Sequence, residues 1–376
     1  MKIIHVIPNL KRGGAERLCL DICNELRKQD HDVQIIIFKN EIEYDELIQD
    51  LNVNVIPSTY QPSIFKPDII DVNLLQDFIK KANPDVIHSH LYEADSITFQ
   101  LELSSTTQLI SHIHSNRKEL IKFDKTRSIK EKIISKFERN IYKKNLTQLS
   151  VKQIAISKDC LNFALNDLGQ PSSNVILLKN CIDFNKFKSE PKHIDYSTQP
   201  INLISLGRFD ENKSQSFLIK VAKKLKSLNI NFNITFIGGG PELDKVKSLT
   251  QEYKLDNQVK FLGMVSNPEV YLKKAHIFIH AAKKEAFGLA LIEAMAAGLP
   301  VISTDGFGNR DIIQENKNGF MILNRSVDEF CKKIRFLSEN PKSYNEISKY
   351  SIEFASNFDV SNYVDNLINV YNNPTN

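Results

Sequence analysis

The stretch from Lys284 to Thr304, KEAFGLALIEAMAAGLPVIST, has the pattern from which the rest of the chain is interpreted. At about 100° per residue, a helix that begins near Gly288 directs its apolar residues toward a core. Glu285 then lies in the loop before the helix, and Glu293 lies within its first turns. A Gly-Leu-Pro turn and an apolar run follow, so the stretch predicts a loop, a helix, a turn and a buried strand.

The start of this helix predicts a site for a phosphate or diphosphate group. The backbone N–H groups of Phe287, Gly288 and Leu289 have no acceptor within the helix, and the helix macrodipole adds positive potential there. One carboxylate before this turn and one after it suit a sugar nucleotide, because ribose and sugar both offer hydroxyl donors. A solvated helix with two surface glutamates is the alternative if the stretch is considered alone.

Length and composition predict two globular domains. The chain has 376 residues, of which 41% are hydrophobic and 25% are charged. This length exceeds what one hydrophobic core usually organises, and the composition is that of an ordinary globular protein. No apolar run approaches the roughly 20 residues of a membrane span, and the N-terminus lacks the features of a signal peptide. We therefore expect a cytoplasmic protein.

The five cysteines show no C-x-x-C spacing. Cys19 and Cys23 are four residues apart and would share one face of a helix. We expect them to be buried thiols that act as small hydrophobic groups rather than a metal-binding pair.

The first half of the chain predicts a parallel sheet, because apolar strands alternate with helical patterns. Its first strand, in residues 2–8, is followed by Gly13 and Gly14 and then by a helical pattern. These glycines would let the backbone approach a ligand closely. A tight strand-to-helix turn that simply requires glycine explains them equally well.

Two later strands of this half each end in a pair of histidines, His88 with His90 and His112 with His114. Residues two apart in a strand face the same side, and ligands bind at the carboxyl ends of such strands. Metal ligation is conceivable, but no acidic cluster with ligand spacing accompanies the histidines. We predict no metal site and a functional role for His114.

Residues 117–144 predict a strongly basic amphipathic helix. A solvated face above a packed apolar stripe is the simplest interpretation. Such a helix also suits the surface of an anionic membrane. Nucleic acid is not expected as a partner, because no aromatic stacking surface or nucleic-acid motif accompanies the charge.

The second half begins after a polar linker in residues 186–199 and places two cations after a strand. The largely apolar segment 201–208, INLISLGR, ends with Gly207 and Arg208. Lys213 follows five residues after Arg208. An arginine fork and a lysine at these places would stabilise the negative charge that grows on a leaving diphosphate. Gly238 belongs to a further strand-to-helix turn, and Gly263 follows the next strand.

Arg208, Lys213, Glu285 and Glu293, in this order and spacing, resemble the retaining GT-B glycosyltransferases with the E-x7-E signature, which include glycosyltransferase family 4 and the glycosyl transferases group 1. The resemblance extends from the Gly13 turn to the last helix. It implies an α/β fold of the GT-B type, with two doubly wound Rossmann-like domains and a cleft between them. The implied divisions are an acceptor-side domain at 1–185, a nucleotide-sugar domain at 200–358 and a terminal helix at 359–376 that crosses back to the first domain.

The resemblance also implies the reaction. A hexose would pass from a nucleoside diphosphate sugar, with UDP favoured and GDP possible, to a hydroxyl of a glycan or lipid-linked acceptor. The setting would be bacterial surface polysaccharide or glycolipid synthesis at the inner face of the membrane, without a metal or other cofactor. The catalytic residues would be Arg208, Lys213, Glu285 and His114. The donor contacts would come from Gly13, Gly14, Gly207, Gly238, Gly263, Phe287, Gly288, Leu289 and Glu293.

Two alternatives to a glycosyltransferase remain. The first shares the architecture, and the second shares the ligand. A non-hydrolysing sugar-nucleotide epimerase would convert the donor without an acceptor. A non-catalytic sugar-nucleotide-binding protein would be expected to lack some of the four charged residues, and all four are present. The family commonly has Pro-Ser where this chain has His280 and Ala281, so the resemblance implies no role for either residue.

Overall fold

Two parallel β-sheets organise the chain in the computed structural model, which describes residues 1–64, 66–115, 128–192 and 199–373. The chain divides into an N-terminal unit, Met1–Asn180 with Val360–Asn376, and a C-terminal unit, Cys181–Asp359. The sequence predicted domains at 1–185 and 200–358 and a terminal helix at 359–376. In the structure the two units divide between residues 180 and 181 and between residues 359 and 360.

The N-terminal unit alternates strands and helices. Its strands are β1 (Lys2–Ile7), β2 (Asp32–Ile37), β3 (Asn52–Val55), β4 (Thr59–Gln61), β5 (Ile69–Asp71), β6 (Val86–His90), β7 (Gln108–Ile113), β8 (Lys152–Ala155) and β9 (Val175–Leu177). Its helices are α1 (Gly14–Lys28), α2 (Asp45–Ile48), α3 (Asn73–Ala82), α4 (Leu91–Thr98), α5 (Ile129–Gln148) and α6 (Lys158–Asn162), and a π-helical turn at Phe163–Asp167 continues the last of these.

The C-terminal unit repeats the alternation. Its strands are β10 (Ile201–Leu206), β11 (Phe232–Ile237), β12 (Val259–Phe261), β13 (Ile277–His280), β14 (Val301–Thr304) and β15 (Gly319–Ile322). Its helices are α7 (Phe184–Phe187), α8 (Gln215–Ser227), α9 (Leu243–Glu252), α10 (Pro268–Leu272), α11 (Leu289–Ala296), α12 (Val327–Glu339) and α13 (Pro341–Ser356). The last helix, α14 (Val360–Asn372), belongs to the N-terminal unit, where it packs on α1.

Both sheets are doubly wound. The strand orders are β3-β2-β1-β6-β7-β8-β9 and β12-β11-β10-β13-β14-β15, and every pair within them is parallel. The order reverses direction between β1 and β6 in one sheet and between β10 and β13 in the other, and ligands bind at such switch points, beyond the carboxyl ends of the strands. The prediction of an α/β chain with two Rossmann-like domains is confirmed.

The core of the C-terminal unit explains why its sheet forms from this sequence. Strands that are covered by helices on both faces consist of continuous apolar runs rather than alternating patterns. INLISL in β10 and IFIH in β13 follow this rule, and their large side chains are buried. Phe217, Leu218 and Val221 of α8 pack into the same cluster.

One element of the N-terminal unit was not predicted. β4 and β5 form a small antiparallel pair outside the main sheet. Each strand has only three residues, and Ile69 and Ile70 are exposed, so burial gives no periodic pattern in the sequence. Among the helices that the structure describes, none combines the length and the apolar character needed to cross a membrane.

Candidate functional site

The central feature of the C-terminal unit is the pair of loops that follow β10 and β13. These strands are hydrogen-bonded neighbours, with Leu203 opposite Ile277 and Ile204 opposite Phe278. The loop after β10 contains Arg208 and Lys213, and the loop after β13 contains Glu285. The two loops therefore leave the sheet side by side at its switch point.

Lys213, Glu285 and His280 meet at one carboxylate oxygen. Lys213 Nζ lies 2.6 Å from Glu285 Oε2, and His280 Nε2 lies 2.8 Å from the same atom. The side chains of Glu285 and His280 are almost entirely buried, and Lys213 remains partly accessible. Residues 72 positions apart in the sequence thus form a charged, hydrogen-bonded group.

The surroundings of Glu285 keep its carboxylate ionised. Burial alone would raise its pKa, but the Lys213 ammonium and the His280 ring lower the pKa to about 2 from an ordinary value of 4.5. Burial lowers the pKa of His280, although its bond to Glu285 opposes this shift. A neutral His280 that donates its Nε2–H to the carboxylate agrees with both shifts.

The lowered pKa predicts a pH-dependent stability difference between the wild type and Glu285→Gln. A folded pKa below the ordinary value contributes stability that is fully present above pH 4.5 and is lost as the pH falls toward 2. We expect the difference in free energy of unfolding to be constant above pH about 5 and to shrink below it. Urea unfolding across this range measures the difference.

Glu339→Gln provides the control, because Glu339 pairs with Arg335 on an exposed helix face. This variant should show little change in stability, since exposed ion pairs contribute about 0–1 kcal/mol. A difference between wild type and Glu285→Gln that did not vary with pH would contradict the assignment of the low pKa to Glu285.

The position of Lys213 is fixed by its own loop and by the neighbouring one. Asp210 Oδ1 accepts the backbone N–H of Lys213 at 2.7 Å, which closes a tight turn. The Asn212 side chain donates to the carbonyl of Lys284 at 2.7 Å and accepts from its N–H at 2.8 Å. These two bonds join the Lys213 loop to the residue that precedes Glu285.

Arg325 supports the same region from beyond β15. Its guanidinium donates to the carbonyl of Ala281 at 2.8 Å and to Ser214 Oγ at 3.0 Å, and it lies over the Phe217 ring. Ser214 directly follows Lys213, and Ala281 directly follows His280. Arg325 therefore connects both loops through residues adjacent to the charged group.

Glu285 is also held through its backbone. Its N–H donates to the carbonyl of Gly306 at 2.7 Å, and its carbonyl accepts from the N–H of Gly308 at 2.9 Å. The Gly-rich turn after β14, together with the hydrogen bonds of its side chain, thus leaves Glu285 little freedom to move.

The structure confirms a helix start at the predicted place. Gly288 is the N-cap of α11 and has a φ of 106°, which favours glycine. A Cβ at Gly288 would lie 2.6 Å from a methyl carbon of Leu291. Within the described residues, the backbone N–H groups of Phe287, Gly288 and Leu289 have no acceptor, so they can bind an anion.

Arg208 is exposed at the end of β10, and its guanidinium makes no hydrogen bond or ion pair with any other described residue. Gly207 precedes it, and a Cβ at Gly238 would lie 2.1 Å from the Gly207 carbonyl oxygen. Gly238 therefore allows the ends of β10 and β11 to approach, and its N–H donates to the carbonyl of Gly263 at 2.8 Å. Glu293 lies partly buried in the second turn of α11.

The remaining predicted residues belong to the N-terminal unit. Gly13 is the N-cap of α1 with extended backbone angles, and Gly14 is the first helical residue. Tyr44 Oη accepts the N–H of Gly13 and donates to its carbonyl, each at 3.0 Å. His114 follows β7, and its Nε2 lies 3.0 Å from His90 Nδ1.

Sequence reasoning overlooked three residues that hold the charged group together: His280, Asn212 and Arg325. The resemblance implied no role for His280, and its contact with Glu285 depends on the course of the intervening loop. Asn212 lies next to Lys213, which was the only indication in the sequence. Arg325 lies after the edge strand, and its contacts depend on the order of β13, β14 and β15.

The comparisons with known proteins agree with this geometry. The family model Glycosyl transferases group 1 matches residues 186–354, and the model Glycosyltransferase Family 4 matches residues 12–186. The chain belongs to the glycosyltransferases that these two models together describe. The resemblance inferred from Arg208, Lys213, Glu285 and Glu293 is therefore confirmed at the level of the family.

Curated relatives match over nearly the full length of this glycosyltransferase. The capsular polysaccharide biosynthesis glycosyltransferase CapH of Staphylococcus aureus is 26% identical over 364 residues, covering 95% of this chain and 96% of CapH. The putative glycosyltransferase EpsF of Bacillus subtilis is 23% identical over 382 residues, covering 99% of this chain and 96% of EpsF.

Solved structures agree in fold. The Anabaena protein HepE in complex with UDP and glucose has a TM-score of 0.80 and 20% identity, with 99% of each chain covered. WaaG, a glycosyltransferase involved in lipopolysaccharide biosynthesis, has a TM-score of 0.74 and 15% identity, with 98% of this chain and 99% of WaaG covered. These similarities support the GT-B fold.

Proposed function

We propose that this glycosyltransferase transfers a hexose from a nucleoside diphosphate sugar to an acceptor hydroxyl with retention of the anomeric configuration. The observation that carries the proposal is the 2.6 Å contact between Lys213 Nζ and Glu285 Oε2 at the switch point of the C-terminal sheet. A cation for the diphosphate and a carboxylate for the sugar hydroxyls stand next to each other there. The nearby start of α11 adds free N–H donors for phosphate oxygens.

In the proposed reaction, the bond between the anomeric carbon and the diphosphate oxygen breaks while the acceptor oxygen bonds to the same carbon. The acceptor attacks from the face that the diphosphate leaves, and the departing phosphate oxygen takes the acceptor proton. Arg208 and Lys213 stabilise the negative charge that develops on the leaving group. With these two cations beside the diphosphate, the transfer is proposed to need no metal ion or other cofactor.

The remaining residues have roles in binding. Glu285 would orient the hydroxyls of the transferred sugar, and Glu293 would accept hydrogen bonds from the ribose. His114 would contact the sugar or its developing positive charge. Four glycine turns would border the donor: one at Gly13 and Gly14, and one after each of β10, β11 and β12, at Gly207, Gly238 and Gly263.

The donor is proposed to be a UDP-sugar, with a GDP-sugar as the alternative. HepE was crystallised with UDP-glucose, and this structural neighbour supports the uridine nucleotide. The acceptor is proposed to be a glycan or lipid-linked glycan in the synthesis of a bacterial surface polysaccharide or glycolipid. The relationship to CapH, named for capsular polysaccharide biosynthesis, supports this setting.

Incubation of the protein with a UDP-sugar and candidate acceptors tests the proposal directly. The product should form only with an acceptor, and the NMR coupling constant of its anomeric proton should show the configuration of the donor. An inverted product would contradict the retaining mechanism. Conversion of the donor without an acceptor would instead indicate an epimerase.

Glu293→Ala is expected to weaken nucleotide binding by about 10- to 150-fold, because hydrogen bonds to charged groups contribute about 1.5–3 kcal/mol. Isothermal titration calorimetry with the preferred nucleotide measures the effect. Glu339→Ala, which removes an exposed glutamate elsewhere in the C-terminal unit, should bind as the wild type does. Unchanged affinity in Glu293→Ala would rule out its role at the ribose.

Peripheral contact with an anionic membrane, at the inner face of the cell membrane, is a further part of the proposal. In the predicted basic helix at 117–144, residues 117–127 lie outside the described residues, and α5 contains the remainder. Ile133 and Ile134 of α5 are 53% and 36% exposed, and Lys132 and Lys136 lie near them in the sequence. Exposed apolar side chains among lysines suit an anionic surface.

Sedimentation with phosphatidylglycerol vesicles tests this contact. Ile133→Gln/Ile134→Gln should bind the vesicles more weakly than the wild type. Ile69→Gln/Ile70→Gln removes two other exposed isoleucines, those of β5 in the β4–β5 pair, and should bind normally. Equal binding by all three proteins would contradict contact through α5.

A further inference from the structure

A cluster of ionisable side chains lies inside the N-terminal unit, and the proposed reaction uses only one of them. The cluster consists of His5 on β1, Cys19 and Cys23 on α1, His88 and His90 on β6, His112 on β7, and His114 just beyond β7. The sheet explains how the histidines meet, because β1, β6 and β7 are neighbours and His5 is opposite His88 while His90 is opposite His112.

Three members of the cluster lie close together, and a fourth adjoins one of them. A ligating atom of His5 and the sulfurs of Cys19 and Cys23 all lie within 4.8 Å of one another. His90 Nε2 lies 2.9 Å from His5 Nδ1. The cysteines are one helical turn apart, so both thiols leave the same face of α1 toward the sheet. All four side chains are fully buried.

The cluster contains buried polar atoms that lack a partner. His5 uses Nδ1 toward His90, but its Nε2 has no hydrogen-bond partner among the described residues. The same is true of His88 Nε2 and His112 Nδ1. An unsatisfied buried polar group costs about 1–3 kcal/mol, so these imidazoles have hydrogen-bonding capacity that the described residues leave unused.

The residue types match one class of ligand. Thiolate and imidazole are the ligands of tetrahedral Zn²⁺, with Zn–S distances of about 2.3 Å and Zn–N distances of about 2.0–2.1 Å. Such distances place neighbouring ligand atoms about 3.3–3.8 Å apart. The ligating atoms of His5, Cys19 and Cys23 lie within 4.8 Å of one another, and the His5 and His90 nitrogens lie 2.9 Å apart, so modest side-chain adjustments would bring the four to those values.

We propose that His5, Cys19, Cys23 and His90 form a buried Zn²⁺ site of the Cys₂His₂ type. Zinc binding displaces the two thiol protons to solvent, and the two imidazoles bind as neutral ligands. This assignment replaces the expectation that Cys19 and Cys23 act only as small hydrophobic groups. The site lies within the N-terminal unit, and the proposal does not depend on the sugar transfer.

The consequence of zinc binding is structural. The metal would cross-link β1, α1 and β6 near the switch point of the N-terminal sheet. α1 begins at the Gly13 turn, and His90 contacts His114 at 3.0 Å, so the cross-link would hold both predicted functional positions. Metal binding then contributes directly to the folding free energy of this unit.

Metal analysis of the full-length protein tests the proposal. The protein is produced in zinc-supplemented medium without a histidine tag, is desalted, and is analysed by mass spectrometry of the elements. We expect about one zinc per chain in the wild type and almost none in Cys19→Ser/Cys23→Ser. Cys160→Ala, which removes another buried cysteine of the same unit, should retain the metal.

Cobalt substitution gives a second measurement that needs no variant. Wild-type protein freed of zinc by a chelator should take up Co²⁺ and show the visible bands of tetrahedral cobalt with thiolate ligands. Its melting temperature should fall on zinc removal and recover when zinc is returned. Wild-type protein that holds no zinc and shows no thiolate–cobalt bands would overturn the proposal, as would a double cysteine variant that keeps the metal.

Discussion

Lys213→Ala is expected to lower kcat by about 100- to 1000-fold while the protein remains folded. Removing a preorganised group that stabilises charge in the transition state typically costs about 2.7–4 kcal/mol. Lys213 is the cation nearest the buried carboxylate of Glu285, and the turn at Asp210 fixes its position. An alanine would leave the growing diphosphate charge without this ammonium. Steady-state kinetics at saturating donor measure the effect.

The control for this variant is Lys283→Ala. Lys283 lies in the neighbouring loop after β13 and forms an exposed pair with Glu211, at 2.8 Å. Its turnover should remain within about threefold of the wild type, because exposed ion pairs contribute about 0–1 kcal/mol. Circular dichroism must show that Lys213→Ala is folded, since among the described residues Glu285 keeps only His280 as its side-chain partner. Turnover of Lys213→Ala within about threefold of wild type would refute its catalytic role.

Arg208→Ala is expected to lower kcat by a similar factor, about 100- to 1000-fold, without loss of stability. Arg208 is exposed and has no hydrogen-bond or ion-pair partner within the described part of the chain, so no buried charge is left behind. The variant thus separates catalysis from folding more cleanly than Lys213→Ala does. Kinetics and thermal unfolding of the same preparation measure both quantities.

Two companion variants make the Arg208 experiment specific. Arg208→Lys keeps the charge but loses the planar fork of donors, so we expect it to recover only part of the activity. Arg335→Ala removes an exposed arginine that pairs with Glu339 on a helix surface, and its activity should be that of the wild type. A fully active Arg208→Ala would show that this side chain does not contact the leaving group.

The fold could be predicted because its strongest determinants are local. Apolar runs of strand length alternate with helical patterns, and glycine marks the turns between them. A helix was predicted to begin near Gly288 from the helical spacing of the apolar residues that follow, and the structure shows a positive φ at this residue. The short β4–β5 pair could not be predicted, because half-exposed strands of three residues bury too little to leave a pattern.

The site could be predicted only in part. Lys213 and Glu285 were selected from their order and spacing, and the structure brings them together because β10 and β13 are neighbours. His280 completes this group, but no spacing rule places its ring on Glu285. Asn212 and Arg325 contribute hydrogen bonds to backbone carbonyls, and any exposed asparagine or arginine in the sequence could make such bonds.

Cys19 and Cys23 also show how far the sequence alone could predict a site. Their spacing correctly predicted that Cys19 and Cys23 would share a buried helix face. The sequence could not show that this face of α1 lies against His5 and His90, because the packing of a helix on a sheet is not encoded in either element alone. The metal-binding potential of the cluster is therefore visible only in three dimensions.

The most direct test of the central claim is the binding of nucleotides to the wild-type protein without added metal ion. Titration calorimetry would compare UDP, GDP, ADP and dTDP, and then the preferred diphosphate with its monophosphate. We predict that one diphosphate binds, that its monophosphate binds about 10- to 150-fold more weakly, and that Arg208→Ala/Lys213→Ala removes this difference. Folded protein that binds none of the four diphosphates, or that binds the monophosphate equally well, would contradict the account.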